Sequence, residues 1–408
     1  MARRPLCFAA LVVSVLTALC IGAPVASAAA TSRRSVPVPV PVARAEQLVT
    51  ASLPASGALA PSPTGPMFRS PLARHVVLGF IGAAGFSGVT PTELADTSEL
   101  VTNMTNLTAT GALSEATPGW ADLNDPDFPG FVTTVHSAGD RALLGIASGS
   151  PAALRRMLRT PANAAGRLAK AVAPILTATH LDGLDLDVEG GSTAERSAFT
   201  TFVTVLHRAL VHTSPGLSLV VNVAPTAASS SGFFNVRALG ANASALFVMD
   251  YDLAPGGAAG PNAPLVAASP RLSVSSSLVA FTHLVPAQKL ILGMPFYGYD
   301  FPTKTSAPGS ATIGAGESVT YGNIVAVGHV GRWDATSLTP YYVFKRGKQW
   351  HETYYDDPVS IALRTALAAV LGLGGVGAWS LGQEGDEVAM LQALDGGAAP
   401  LRLPVASG

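Results

Sequence analysis

The stretch DGLDLDVEG over residues 182–190 places three carboxylic acids at alternate positions. Asp185, Asp187 and Glu189 are each separated by one aliphatic residue. In a β-strand alternate residues share a face and lie roughly 6.6 Å apart, so one face of this segment is acidic and the other apolar. Inward-facing carboxylates are costly to bury unless they hydrogen-bond, share protons or take part in chemistry. The pattern therefore predicts an active site on a buried strand.

Such an acidic row indicates proton transfer. Closely spaced carboxylates do not all ionise cheaply, so we expect them to share protons and to have raised apparent pKa values. A raised pKa is what a general acid needs in order to work near neutral pH. Two alternatives stay open, a calcium or magnesium site and a chance acidic edge strand. The aliphatic neighbours oppose the edge strand and no second cluster of oxygen ligands supports a metal, so we predict neither metal nor cofactor.

The bulk composition limits the class of protein. The chain has 408 residues, of which 48% are hydrophobic and 12% charged, and its formal net charge is −1. That is enough apolar sequence for one large core or two smaller ones. Nucleic-acid binding asks for a basic surface, which this charge balance argues against. We expect a soluble monomer whose partner is its substrate.

The N-terminus has the pattern of a secretory signal. A basic pair precedes an apolar run over 6–23, and the small residues at 26–28 offer a cleavage site. We therefore predict a signal peptide over 1–28, a secreted protein, and no membrane attachment after cleavage. An uncleaved signal anchor is the alternative, although the run is short for a membrane span. Both cysteines, Cys7 and Cys20, lie inside this segment, so the mature protein should have no disulfide.

Two further segments follow the predicted signal. Residues 29–71 are rich in Ala, Pro, Val and Ser, including VPVPVPVA at 36–43. Proline fixes φ and removes a backbone donor, so this segment is predicted to be an extended, poorly ordered linker. From residue 72 the pattern changes to short apolar runs that alternate with amphipathic stretches, and we predict the catalytic domain over 72–398.

Eight apolar runs in this domain are predicted to be strands. They are 75–82, 100–109, 141–148, 181–189, 217–225, 245–252, 289–298 and 375–382. Helical stretches separate most of them, with start signals at Thr160-Pro161, at Asp357-Pro358 and at Ser192 with Glu195. This alternation predicts an α/β fold, a (β/α)8 TIM barrel. A doubly wound open sheet is the alternative, but no GxGxxG turn supports it.

The segment 299–350 breaks the alternation. It is rich in Gly, Ser, Thr and aromatic residues, and we predict a small β-rich insertion between strands seven and eight that walls one side of the barrel mouth. Because chemistry in such barrels sits at the C-terminal ends of the strands, Glu189 is expected nearest the mouth and Asp185 deepest.

The sequence resembles glycoside hydrolase family 18, the chitinase family. That family's signature DGxDxDxE is matched at every fixed position of 182–189. FVMDYD at 247–252 is similar to its strand-six motif, GMPFYGYDF at 293–301 to its strand-seven motif, and GVGAWSLGQ at 375–383 to its strand-eight motif. The segments 332–344 and 350–361 resemble most the di-N-acetylchitobiase and spore-cortex-lytic branches.

The resemblance implies a mechanism in which the substrate supplies the nucleophile. Glu189 would act as the acid and then the base, Asp187 would orient the acetamido N–H, and Asp185 would share a proton with Asp187. Tyr251 would hydrogen-bond the acetamido oxygen. The resemblance further implies that the substrate is bound by Asp252, Met249, Tyr297 and Trp379.

The predicted function is therefore a secreted retaining glycosidase. Its expected substrates are β-1,4-linked N-acetylglucosamine oligosaccharides or polysaccharides, cleaved through an oxazolinium intermediate. Two alternatives stay open: a peptidoglycan or spore-cortex N-acetylglucosaminidase, and a chitin-binding lectin without turnover. The three acids and Tyr251 are all present, which favours an enzyme over a lectin.

Overall fold

A computed structural model gives the fold of the part of the chain that it describes. The described residues are 39–49, 53–61, 67, 75–268 and 270–396. The predicted signal peptide and residues 29–38, 50–52, 62–66 and 68–71 of the predicted linker lie outside them.

Fourteen strands and twelve α-helices make up the described part of the chain. The strands are β1 (Val76–Phe80), β2 (Glu99–Val101), β3 (Thr105–Leu107), β4 (Arg141–Ser148), β5 (Gly183–Asp187), β6 (Ser218–Val223), β7 (Ala245–Met249), β8 (Leu290–Pro295), β9 (Tyr297–Thr303), β10 (Glu317–Thr320), β11 (Arg332–Asp334), β12 (Thr339–Arg346), β13 (Gln349–Tyr354) and β14 (Gly375–Trp379). The helices are α1 (Val40–Leu48), α2 (Pro91–Asp96), α3 (Pro118–Leu123), α4 (Phe128–Ala138), α5 (Pro151–Met157), α6 (Pro161–Thr179), α7 (Arg196–Thr213), α8 (Val236–Asn242), α9 (Val274–Thr282), α10 (Tyr321–Ala326), α11 (Pro358–Leu371) and α12 (Val388–Asp395).

Nine of these strands form one closed parallel sheet. The order is β2-β1-β14-β8-β7-β6-β5-β4-β3, and β2 also pairs with β4, which closes the ring. Both β2 and β3 pair in parallel with β4, so together they form one strand position of the barrel. Each such strand position is called a stave below and is numbered in chain order. The barrel therefore has eight staves, each within a predicted strand except that β2 starts one residue earlier, and the predicted (β/α)8 fold is confirmed.

The insertion between the seventh and eighth staves is also confirmed. A separate five-stranded antiparallel sheet has the order β10-β9-β13-β12-β11 and lies between β8 and β14 in the chain. Its strands run from Tyr297 to Tyr354, slightly beyond the predicted 299–350. Because β9 starts two residues after β8 ends, the insertion begins at the carboxyl edge of the barrel, where substrate is met.

The helix starts follow local chemistry. Asp357 caps α11 in a capping box with Ser360, as the sequence predicts. Ser192 and Glu195 form a second capping box on a short 3₁₀ turn that leads into α7. Helix α6 begins at Pro161 as predicted, although the side chain of the preceding threonine accepts no capping hydrogen bond. Buried residues recur every three or four positions along α6, which fixes one face of that helix on the barrel.

One predicted segment is corrected. The composition of 29–71 predicts an extended linker, but 40–48 form α1, which packs against α11 and in which Val42 and Ala45 are fully buried. Proline is tolerated in the first helical turn, and the residues after it are good helix formers. Farther along, Ala60 and Ala58 bond to the backbone of Gly331 and Trp333 beside β11. These parts of the predicted linker belong to the folded unit.

The packing of α1 against α11 leads to a prediction about stability. Val42 is fully buried whereas Val40, two residues earlier, is 68% exposed. Val42→Asp is expected to lower the free energy of unfolding by about 2–4 kcal/mol, because it buries a charge without a partner. Val40→Asp is the matched control, with an expected change within about 0.5 kcal/mol. Chemical denaturation of both variants measures the difference, and equal stabilities would show that α1 is not anchored.

Within the described ranges, no helix combines the length and the apolar character needed to cross a membrane.

Candidate active site

The acidic row lies on β5, the fourth stave, and runs outward from the core. Asp185 is fully buried, Asp187 is partly buried, and Glu189 is exposed just beyond the end of the strand. Side-chain alternation along β5 gives this order, because the three residues have the same parity. The depth order expected from the sequence is therefore the one observed.

Asp185 is held in the barrel interior by the neighbouring strand. The Nδ2 of Asn222 on β6 donates a 3.0 Å hydrogen bond to its Oδ1. Burial, and then the charge of Asp187, raises the pKa of Asp185 well above its ordinary value, although the Asn222 bond lowers it. Sequence reasoning missed Asn222. The available signal was a single polar side chain inside the aliphatic strand LSLVVNV.

The side chains of Asp187 and Glu189 are hydrogen-bonded to each other. Burial, the charge of Glu189 and the hydrogen bond between the two side chains raise the pKa of Asp187 from 3.8 to about 7. Partial desolvation at the mouth, and then the charge of Asp252, raises the pKa of Glu189, while the bond from Asp187 lowers it. Oδ1 of Asp187 is buried and has no hydrogen-bond partner among the described residues. The pair can thus hold one proton and still present an acceptor.

Tyr251 follows β7, the sixth stave, and is turned towards the acids. It is 8% exposed, and burial followed by the charges of Asp187, Asp252 and Glu189 raises its pKa well above 10. Its hydroxyl therefore stays protonated around neutral pH and can donate a hydrogen bond. Its ring makes an edge contact with Tyr297, with 6.1 Å between the ring centroids.

Asp252 links the barrel to the insertion. Its Oδ1 accepts hydrogen bonds from the hydroxyls of Tyr297 at 2.6 Å and Tyr299 at 2.8 Å, both on β9. The two tyrosines share a face of β9 because they are two residues apart. That Tyr297 contacts the sugar stays a prediction, and the structure adds that its hydroxyl and that of Tyr299, which the sequence did not single out, both donate to Asp252. The site therefore spans the sixth stave and the first strand of the insertion.

Trp379 closes the eighth stave. It is partly buried, and its ring is tilted on Phe80 with 5.1 Å between the centroids. It also lines a cavity of about 400 Å³, with Met104, Asn103 and Gln383 among the other lining residues. Such a mixed apolar and amide lining can hold a sugar ring, whose faces are apolar and whose edge carries hydroxyls.

The signature residues Asp182 and Gly183 and the predicted site residue Met249 make contacts within the protein. Oδ2 of Asp182 accepts from the backbone of Ala142 at 2.9 Å and lies 3.0 Å from Nε2 of His136. Gly183 has φ 153°, and a Cβ there would lie 2.2 Å from a backbone oxygen of β6, so only glycine fits. Met249 ends β7 and is 9% exposed, packed in the core cluster, so the structure shows it in a packing position.

No group of three or more His, Cys, Asp or Glu side chains that could hold a metal ion occurs among the residues that the structure describes. At the carboxyl ends of the fourth and sixth staves, Asp187 and Glu189 can transfer protons and Tyr251 can donate a hydrogen bond. This is the arrangement of a barrel enzyme whose acids meet substrate at the ends of the strands.

Comparison with known proteins places this chain in a family. Residues 65–384 match the family described as glycosyl hydrolases family 18, and the chain belongs to it. The resemblance inferred from the motifs is confirmed.

Two curated relatives and one solved structure are similar to this chain. Probable di-N-acetylchitobiase 1 of Dictyostelium discoideum is 29% identical over 51% of this chain and 64% of its own length. The putative sporulation-specific glycosylase YdhD of Bacillus subtilis is 24% identical over 49% of this chain and 46% of its own length. The match covers less than two thirds of either relative. The class V chitinase of Nicotiana tobaccum has a TM-score of 0.69 at 22% identity, covers 80% of this chain and all of its own, and shows the shared fold.

Proposed function

We propose that this protein is a retaining glycoside hydrolase that cleaves β-1,4 bonds next to N-acetylglucosamine in chitin oligosaccharides. The observation that carries the proposal is the hydrogen-bonded pair of Asp187 and Glu189 at the carboxyl end of the fourth stave, where burial and the charge of Glu189 raise the pKa of Asp187 to about 7. Membership of family 18 supports the reaction class, and the likeness to a di-N-acetylchitobiase supports short oligosaccharides as substrates.

The mechanism needs no protein nucleophile. The acetamido oxygen of the bound sugar attacks its own anomeric carbon while Glu189 gives its proton to the departing glycosidic oxygen. The bond to the leaving sugar breaks and an oxazolinium forms. Glu189, now a carboxylate, takes a proton from water, whose oxygen attacks the same carbon and reopens the ring. Two inversions leave the configuration unchanged.

The neighbouring groups stabilise the charge that develops. The unpaired Oδ1 of Asp187 would accept from the acetamido N–H, so that the carboxylate faces the positive ring. The protonated hydroxyl of Tyr251 would donate to the acetamido oxygen and aim it at the anomeric carbon. Trp379 would form the floor under the sugar, and the adjoining cavity would take the rest of the chain.

Substrate assistance gives a direct test. We expect an aryl β-chitobioside to be hydrolysed and the matched aryl β-cellobioside, which has a hydroxyl instead of the acetamido group, to have a kcat/KM at least about 10³-fold lower. Proton NMR of the first product should show the β-anomer. Equal rates on the two glycosides, or an α-anomer formed first, would contradict the mechanism.

The alternatives predict other outcomes of the same assays. Turnover of purified peptidoglycan sacculi without turnover of chitobiosides would indicate a cell-wall N-acetylglucosaminidase, which the likeness to a sporulation-specific glycosylase makes worth measuring. Tight binding of chitotetraose without turnover of either substrate would indicate a lectin.

Secretion is part of the same proposal. It rests on the basic pair, apolar run and small-residue site within 1–28. Expression of the full chain, followed by N-terminal sequencing of protein from the culture medium, should give a mature end at about residue 29.

A further inference from the structure

The turn that carries Tyr251 and Asp252 is irregular and needs an external support. At the end of β7 the N–H groups of Asp250 and Tyr251 bond to carbonyls only two residues earlier, at 2.8 Å each. Asp252 then has φ 60°, in the left-handed region, which aspartate enters more readily than most residues but still at a cost. A backbone in this conformation persists only where its surroundings over-determine it. The side chain of Asp252 is exposed and already engaged by two tyrosines, so the support comes from elsewhere.

Asn262 supplies that support. Its side chain is 1% exposed, and its Oδ1 accepts from the N–H of Asp252 at 2.7 Å. Its backbone carbonyl accepts from the N–H of Leu253 at 2.8 Å. Its Nδ2 donates to the carbonyl of Tyr297 at 3.2 Å. One buried residue thus ties the turn after the sixth stave to the first residue of the insertion, the two places that carry Tyr251, Asp252 and Tyr297.

The backbone on both sides of Asn262 is held in place by prolines and by a buried arginine. The residues at 261 and 264 are prolines, which fix the local backbone. Arg364 of α11, fully buried, donates to the carbonyl of Ala263 and, at 2.7 Å, to that of Ser360. A 2.9 Å ion pair with Asp356 holds the guanidinium. Asn262 therefore connects helix α11, through Ala263 and Arg364, to the turn at the mouth of the barrel.

We propose that Asn262 is a positioning residue that sets the orientation of Tyr251 and Asp252 relative to Glu189 and Asp187. It touches no reacting atom and acts through Tyr251, Asp252 and Tyr297. This role rests on the proposed glycosidase function. A shift of about 1 Å in a positioned group can cost about 10²-fold in rate, so Asn262→Ala is expected to lower kcat by about 10–100-fold with a smaller change in KM.

A conservative variant separates positioning from general instability. In Asn262→Asp the new carboxyl is buried, and burial raises the pKa of such a group. When protonated, it can accept from Asp252 and donate to Tyr297 as the amide does; when ionised, it loses the donor and places a charge beside the acids. We expect kcat of Asn262→Asp to approach wild type at low pH and to fall to the level of Asn262→Ala at high pH. A merely structural loss would give no such recovery in a protein that stays folded.

The experiment measures kcat and KM for the aryl β-chitobioside across pH for wild type, Asn262→Ala, Asn262→Asp and the control Asn242→Ala. The side chain of Asn242 donates to the carbonyl of Ala238 within α8 and makes no other side-chain hydrogen bond among the described residues, so its variant should keep wild-type kcat. Circular dichroism at each pH confirms folding. A folded Asn262→Ala with normal kcat, or an Asn262→Asp without pH-dependent recovery, would overturn the role alone. Absence of wild-type turnover would overturn the proposed function, and this role with it.

Discussion

Glu189→Gln is expected to lower kcat by about 10²–10⁴-fold, the usual contribution of a general acid–base group. The amide keeps the size and the hydrogen-bonding outline of the carboxyl, but it cannot give a proton to the glycosidic oxygen or take one from water. KM should change little, because the sugar contacts offered by Trp379 and Tyr251 remain. Steady-state kinetics on an aryl β-chitobioside measure both constants.

The matched control is Glu195→Gln. Glu195 lies six residues farther along, in the capping box with Ser192, and glutamine also serves at that position. It should keep wild-type kcat and thermal stability. A Glu189→Gln variant with near-normal kcat would contradict the assignment of the acid. Equal losses in both variants would point to damage of the scaffold around β5 instead of a missing proton.

The barrel could be predicted because its signals are local. Buried parallel strands read as continuous apolar runs, and helix starts have their own cap residues, so both can be recognised within about ten residues of sequence. The acidic row is equally local, since a period of two residues places Asp185, Asp187 and Glu189 on one face whatever surrounds the strand. Their order of depth then follows from the direction of β5.

The rest of the site depends on contacts between distant segments. Asn222 bonds to Asp185 across 37 residues, and Asn262 bonds to Tyr297 across 35. A single polar residue inside an aliphatic strand marks Asn222 as unusual, but no local pattern identifies its partner, and an asparagine in a loop such as Asn262 is equally consistent with an exposed position. Tyr297 is predicted to contact the sugar, and the bond from its hydroxyl to Asp252 is a further contact that depends on a segment 45 residues away. Helix α1 was missed for a similar reason, because the helix α11 that buries it lies about 310 residues away in sequence.

Asp187→Asn is expected to have the second largest effect. Its carboxylate would stabilise the positive charge of the oxazolinium, a contribution of about 10²–10³-fold in kcat when such a group is removed. The amide can still hydrogen-bond Glu189, but it carries no charge towards the sugar. Because the lost interaction is formed in the transition state, kcat and kcat/KM should fall together, with KM nearly constant. A raised KM with normal kcat would instead indicate a binding role.

The pH profile of the same variant tests whether a proton is shared. In wild type, the active pair holds one proton, and losing it places two carboxylates side by side, so kcat/KM should fall on the alkaline side with an apparent pKa of about 7. In Asp187→Asn, Glu189 titrates without that neighbouring charge. Its proton is then lost at lower pH, so the alkaline limb of the kcat/KM profile should shift to lower pH. An unmoved limb would show that the two carboxyls titrate independently.

The stability of Asp187→Asn should change in the opposite sense to its activity. The pKa of Asp187 is raised from 3.8 to about 7 on folding, so the folded protein binds the proton more tightly than the unfolded chain. Its contribution to stability is complete below about pH 4 and is lost as the pH rises to about 7. Asparagine has no such loss, so the variant should unfold at a higher temperature than wild type at pH 8 and show a smaller difference at pH 4. Slower turnover in a more stable protein would locate the defect in the lost charge, because damage to the fold would lower both.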